Sequence, residues 1–188
     1  METKQPPDKV WTYDDLPDDY QGRKYEIFDG ELVVSPSPRP RHQIIVKRVY
    51  DVLRELLEVP RIAEILFSPL DVVLSPKKVI QPDLLAIRWG RRRDTIGDRN
   101  IKAPPDLAIE ILSPSNRAHD RVKKRRFYAR NGIREYWIVD PDEKTIEVLA
   151  LRGKSYRQHG WYGPGDRARS ATFAIEFDVD PLFATDDD

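Results

Sequence analysis

Leu107 to Leu112 reads LAIEIL, an apolar run of the length of a buried strand with a glutamate, Glu110, inside it. An unpaired carboxylate in such a place costs several kcal/mol, so any fold of this chain has to bring compensating charge or hydrogen bonds to Glu110. After Ser113-Pro114-Ser115 the spacing predicts a helix over 117–130, closed by Asn131-Gly132 as a left-handed cap, and then a strand from Glu135 to Asp140. A strand, helix, strand crossover returns right-handed and sets its two strands parallel, which puts the helix start near one end of the sheet. The acid and the helix can therefore share a site.

At 188 residues the chain suits one domain with a core, expected over 25–180, with a polar arm at 1–24 and an acidic tail at 181–188. It contains no apolar run near the roughly 18 residues that span a bilayer, and METKQPPDKV lacks the apolar stretch of a secretion signal. A soluble, cytoplasmic protein without membrane partners is the expectation. The absence of cysteine excludes disulfides, thiol nucleophiles and thiolate metal sites, so a metal would need oxygen or histidine ligands, and oxygen favours Mg2+ or Mn2+. Lys and Arg balance Asp and Glu at 32 each, but the distribution is uneven. Six basic residues face two acids between Arg88 and Lys102, and eight face only Asp120 between Arg117 and Arg134.

In chain order, Trp11 and Tyr13 are candidate anchors for the arm, laid over the domain or onto a partner subunit. Tyr25 to Phe28, Asp29-Gly30 and Glu31 to Val34 form a hairpin signal, because Asp-Gly supplies the positive φ angles of a tight turn. Ile45, Val49, Leu53, Leu56 and Leu57 recur at helical spacing within Arg41 to Glu58. Strands are expected at Ile62 to Phe67, Asp71 to Leu74 and Asp83 to Ile87, then a long basic loop over 89–104. Thr145 to Leu151 and Thr172 to Phe177 read as later strands separated by a Gly-rich region.

This order, with Pro82-Asp83, Glu110-Ile-Leu-Ser-Pro-Ser, Asp120-x-x-x-Lys124 and Gly132-Ile-Arg-Glu-Tyr-Trp-Ile-Val-Asp140, resembles a large bacterial family of restriction-endonuclease-like proteins abundant in cyanobacteria. That family lies within the PD-(D/E)XK nuclease superfamily, and the likeness covers roughly 25–180. It implies an α/β restriction-endonuclease-like mixed sheet flanked by helices, with an added N-terminal hairpin and C-terminal strands. The superfamily chemistry uses two carboxylates on a divalent cation and usually a lysine two residues after the second. Asp83 and Glu110 match the carboxylates; on strands about 4.8 Å apart they can converge on one Mg2+ ion, whose oxygens lie about 2.1 Å away. Leu112 stands where the lysine is usual, and the resemblance implies a lysine migrated to the following helix, Lys124, with Lys123 as its rival.

Each residue also has a plainer reading. Asp83 suits a turn after proline, Glu110 an ion pair with an arginine, and Lys124 a surface partner of Asp120. Glu31, His42, Glu26 and Asp120 are possible additions to the site, equally readable as hairpin, capping or surface residues. Arg91, Arg92, Arg93 and Lys123 are candidates for contact with nucleic-acid phosphates. The leading expectation is a metal-dependent DNA endonuclease using Mg2+ or Mn2+, with DNA as partner and a homodimer or higher homo-oligomer as assembly. The alternative is a catalytically weak or inactive nuclease-fold module that binds DNA or protein.

Overall fold

The structure is a computed structural model, and it describes residues 9–17, 23–113 and 119–184, without the side chains of 119 and 120. Its centre is a six-stranded mixed sheet in the order β10-β9-β8-β7-β6-β3. These strands are β3 (Ala63–Phe67), β6 (Leu84–Arg88), β7 (Leu107–Ile111), β8 (Glu135–Asp140), β9 (Thr145–Arg152) and β10 (Ser155–Tyr162). The crossover from β7 to β8 is parallel, with Glu110 opposite Ile138, and the other neighbours are antiparallel.

Alternation along each strand sends its side chains to two different cores. Leu84, Leu107, Ile109, Ile111, Trp137 and Val148 face one side, where Ile45, Val49 and Leu53 of helix α1 (Pro40–Leu53) and the C-terminal Phe177 and Leu182 cover them. Leu85, Ala108, Tyr136, Ile138 and Leu149 face the other, under Phe127, Tyr128 and Ala129 of a short helix at Arg125–Arg130. Glu110 is two residues from Ala108, so the pleat sends it to this second face.

A second, four-stranded sheet in the order β2-β1-β5-β4 lies on that face. It contains the expected hairpin, β1 (Lys24–Phe28) and β2 (Glu31–Ser35), turning at Asp29 and Gly30 with φ of 53° and 91°. Its other strands are β4 (Val72–Ser75) and β5 (Lys78–Ile80). The Phe28 ring meets Phe127 edge-on at 4.8 Å, joining the hairpin to the helix. Trp11 and Tyr13 pack with Ile27, Leu32 and Val79, so the described part of the arm lies over this sheet.

Several sequence expectations are corrected by this arrangement. The segment at Asp71 to Leu74 leaves the main sheet for the second one, and β5 is an additional strand too short to carry an alternation signal. The helix from Arg41 is α-helical only to Leu53 and continues as a π-helix over Arg54–Glu58. The helix expected over 117–130 is π-helical at His119–Lys124 and α-helical at Arg125–Arg130, while residues 117 and 118 lie outside the described residues. The Gly-rich region holds the edge strand β10. In place of a strand at Thr172 to Phe177, β11 (Arg167–Arg169) pairs with β12 (Glu176–Asp178). The N–H groups of Ala171 and Thr172 donate to Glu135, and that of Phe173 donates to Ser170 Oγ, which removes them from any ladder. No helix among the described residues is long and apolar enough to cross a membrane.

Candidate active site

Asp83 and Glu110 approach one another because β6 and β7 are antiparallel neighbours, with the beginning of one beside the end of the other. Asp83 Oδ2 accepts the N–H of Ile111 at 2.8 Å, which ties the two strand ends and turns the carboxylate toward Glu110. The same oxygen lies 3.1 Å from His42 Nε2, supplied by the first turn of α1.

Among the described residues, two lysines bring compensating charge to Glu110. Lys124 Nζ lies 2.9 Å from Glu110 Oε1 and 3.1 Å from Glu26 Oε2. Lys24 Nζ lies 3.5 Å from Glu110 Oε2 and 3.1 Å from Asp83 Oδ1. Tyr128 donates its hydroxyl to Glu110 Oε1 at 2.5 Å, and the other Glu26 oxygen accepts the N–H of Gln81 at 3.0 Å. Glu26, Asp83, Glu110 and Lys124 are all buried.

Local structure explains this convergence. Lys24 and Glu26 are two residues apart on β1 and share a face, so the hairpin delivers a cation and an acid together. Lys124 and Tyr128 are four residues apart across the junction of the π-helical and α-helical turns, and both reach Glu110. The Phe28–Phe127 contact holds hairpin and helix at the separation these pairs need.

The electrostatics follow from close packing of opposite charges. Burial acts to raise the Asp83 carboxyl, but Lys24 and then His42 outweigh it and hold the group well below the usual carboxylate range. Burial acts to lower His42, and the hydrogen bond and charge of Asp83 reverse this, so the imidazole is raised. Lys24 follows the same logic, with burial opposed by Asp83 and Glu110 and a net rise. The Tyr128 hydroxyl is pushed far up by burial, then by Glu110 and Glu26, and stays a donor. Three carboxylates thus face two lysines and a histidine biased toward its cationic form.

The other buried acids are anchored differently. Glu135 accepts from Trp137 Nε1, Ser170 Oγ and the N–H groups of Ala171 and Thr172, and Asp140 accepts the N–H of Asp142 and Glu143 as well as Arg121. Asp106 accepts the N–H of Arg88 and pairs with Arg91. Backbone donors hold these acids in place, whereas the Asp83 and Glu110 oxygens that face each other share the Lys24 ammonium.

That ammonium is a cation standing between two carboxylates, and the donor set suits a hard divalent ion. Among the described residues no three acidic or histidine side chains are placed to hold a metal together, so a bound ion would rest on Asp83 and Glu110 with water completing its shell. Mg2+ commonly binds through one or two carboxylates and retains several waters.

Of the other residues singled out in the sequence, Glu26 and His42 join this cluster. Glu31 points away, exposed and paired with Lys123 at 2.9 Å, and the side chain of Asp120 lies outside the described residues. Arg91 pairs with Asp106 at 2.8 Å, Arg92 pairs with Glu64 at 2.7 Å while stacking on Trp89, and Arg93 is exposed. Lys24, Tyr128 and Gln81 were not anticipated. The alternation Lys24-x-Glu26 and the four-residue step from Lys124 to Tyr128 were the available signals.

Comparison with known proteins identifies the family and the fold. The profile of the Uma2 family, described as "Putative restriction endonuclease", matches residues 10–181. A protein of Synechocystis sp. named "Uncharacterized protein slr1290" is 26% identical over 165 residues, covering 87% of this chain and 85% of that protein. A crystal structure from Anabaena variabilis, titled as "a putative nuclease belonging to DUF820", superposes with a TM-score of 0.73 at 23% identity, covering 89% of this chain and 93% of the other. That superposition establishes a shared mixed α/β fold, and the profile match spans nearly the whole chain. The chain belongs to the Uma2 family of restriction-endonuclease-like proteins.

Proposed function

We propose that this protein is a metal-dependent DNA endonuclease that hydrolyses phosphodiester bonds at the Asp83–Glu110 site. The observation that carries the reading is the Lys24 ammonium shared between the two carboxylates, which marks the place a divalent cation would take. Asp83 and Glu110 would hold the ion, Mg2+ or Mn2+, in exchange for the Lys24 ammonium they share. When bound, such an ion lowers the pKa of a water and stabilises charge developing on the phosphoryl oxygens.

The chain's own groups do the rest. Lys124 Nζ, fixed between Glu26 and Glu110, would keep positive charge at the site where water attacks. Tyr128 engages Oε1 of Glu110, so Oε2 would remain available to the ion. His42 orients Asp83 through Oδ2, so Oδ1 would remain available to it. Two such sites in a homodimer would serve the two strands of a duplex.

A second reading has its own support. The acids are already neutralised by Lys24, Lys124 and His42, so the cluster is satisfied without a metal and suits a nuclease-fold module that binds DNA or protein without cutting. Plasmid, single-stranded DNA and RNA incubated with Mg2+ or Mn2+ separate the two. The nuclease reading expects metal-dependent DNA cutting that Asp83→Asn and Glu110→Gln both abolish. Wild-type protein that is folded and cuts nothing above those variants refutes it in favour of the binding module.

A further inference from the structure

Across the Arg125–Arg130 helix from the acidic cluster lies a cleft of about 440 Å³ between that helix and β10. Its wall carries Arg121, Arg125, Arg126, Arg130 and Lys154, and no acid among the described residues lines it. Arg121 and Arg125 are held from behind, both on Glu147 and Arg121 also on Asp140. Arg126, Arg130 and Lys154 are exposed and make no ion pair among the described residues. At the Arg121 end of the cleft, the Arg121 guanidinium lies 5.5 Å from the ring centroid of Trp161, which is 46% exposed.

Uncompensated cations gathered in one concave place repel each other and are costly to hold there, which points to an anionic ligand. We infer that this cleft binds the phosphate backbone of a nucleic-acid strand, with Trp161 as a stacking platform for a base. A groove of fixed and free cations beside an exposed aromatic is the arrangement by which single strands are held without sequence preference. The long basic loop is less suited, since Arg91 and Arg92 are already taken by Asp106 and Glu64. The same short helix carries Tyr128 toward the acids and Arg126 and Arg130 toward the cleft, so a strand seated here lies one helix width from the acidic site. The choice of nucleic acid over another polyanion rests on the nuclease reading; the cleft itself does not depend on catalysis.

The test is fluorescence anisotropy of labelled single-stranded and duplex DNA in EDTA over a range of salt, where no cutting occurs. The combined variant Arg126→Ser, Arg130→Ser, Lys154→Ser is expected to lose binding and to flatten the slope of log affinity against log salt by about 2 to 3. A control of equal charge loss elsewhere, Lys47→Ser, Lys77→Ser, Lys144→Ser, keeps the wild-type slope. Trp161→Ala weakens single-strand binding by about fivefold or more and duplex binding less. A wild-type slope in the cleft variant overturns the inference, as does a wild-type protein that binds polyglutamate but no DNA. Binding through the cleft without cutting would sink the nuclease reading and leave the cleft standing. Cutting that is indifferent to the cleft variant would do the reverse.

Discussion

Replacing Lys24 by methionine keeps an unbranched side chain, one atom shorter, and removes the ammonium that Asp83 and Glu110 share. At separations of 3.1 and 3.5 Å, each attraction amounts to about 5 kcal/mol at an effective dielectric near 20, before the cost of desolvating the charges is set against it. Breaking a buried pair costs about 3 to 5 kcal/mol when the remaining charge is left alone. Here Asp83 keeps His42 and the Ile111 N–H, and Glu110 keeps Lys124 and Tyr128, so a net loss of about 2 kcal/mol is the reasonable scale. In EDTA the Lys24→Met protein should melt about 4 to 8 °C below wild type. An entering divalent ion no longer has to displace the lysine, and 2 kcal/mol corresponds to about 30-fold tighter Mn2+ binding. Isothermal titration with Mn2+, paired with melting curves in EDTA and in saturating metal, measures both effects. A folded Lys24→Met protein that binds Mn2+ no better than wild type would refute the idea that the ammonium stands in the cation's place.

Three further outcomes follow from the same cluster. Lys124→Met leaves Glu26 and Glu110 buried without their shared cation and should cost about 3 to 5 kcal/mol in urea unfolding, and adding Glu26→Gln should restore part of it; an unchanged midpoint contradicts the pairing. Tyr128→Phe removes the 2.5 Å donor to Glu110 and is expected to cost about 1 to 3 kcal/mol by the same assay, with loss near zero arguing that the hydroxyl is dispensable. The His42 value is raised in the folded state, so its stabilisation is complete below about pH 6.5 and is lost as pH rises through the folded value; that of Asp83 is lowered, so its share is complete above about pH 3.9 and is lost as pH falls. Melting in EDTA should therefore weaken above neutrality in wild type, and His42→Asn should remove that decline; a decline that persists in the variant would place its origin elsewhere.

Much of the scaffold was legible locally. Glu110 inside an apolar run demanded compensation whatever the fold, and Asp29-Gly30, Asn131-Gly132 and the crossover from β7 to β8 appear as expected because turn chemistry and chain handedness act over short distances. The migration of the site lysine to Lys124 rested on family resemblance, and the structure brings that residue to 2.9 Å from Glu110. The strand at Thr172 to Phe177 failed at its start, where Glu135, more than thirty residues away, takes the N–H of Thr172 and Ser170 Oγ takes that of Phe173.

The division between sequence and tertiary structure runs along contact range. Alternation by itself determined that Glu110 would face away from the Leu107, Ile109 and Ile111 side, and helical spacing determined that Lys124 and Tyr128 would lie one turn apart. Which cations met that acid was decided only when the second sheet packed on the Arg125–Arg130 helix, bringing Lys24 and Glu26 across from residues more than eighty positions later in the chain. Ion pairing has no periodicity along a chain. It is set by where separate elements come to rest, and a pattern within any one of them carries no record of its partner.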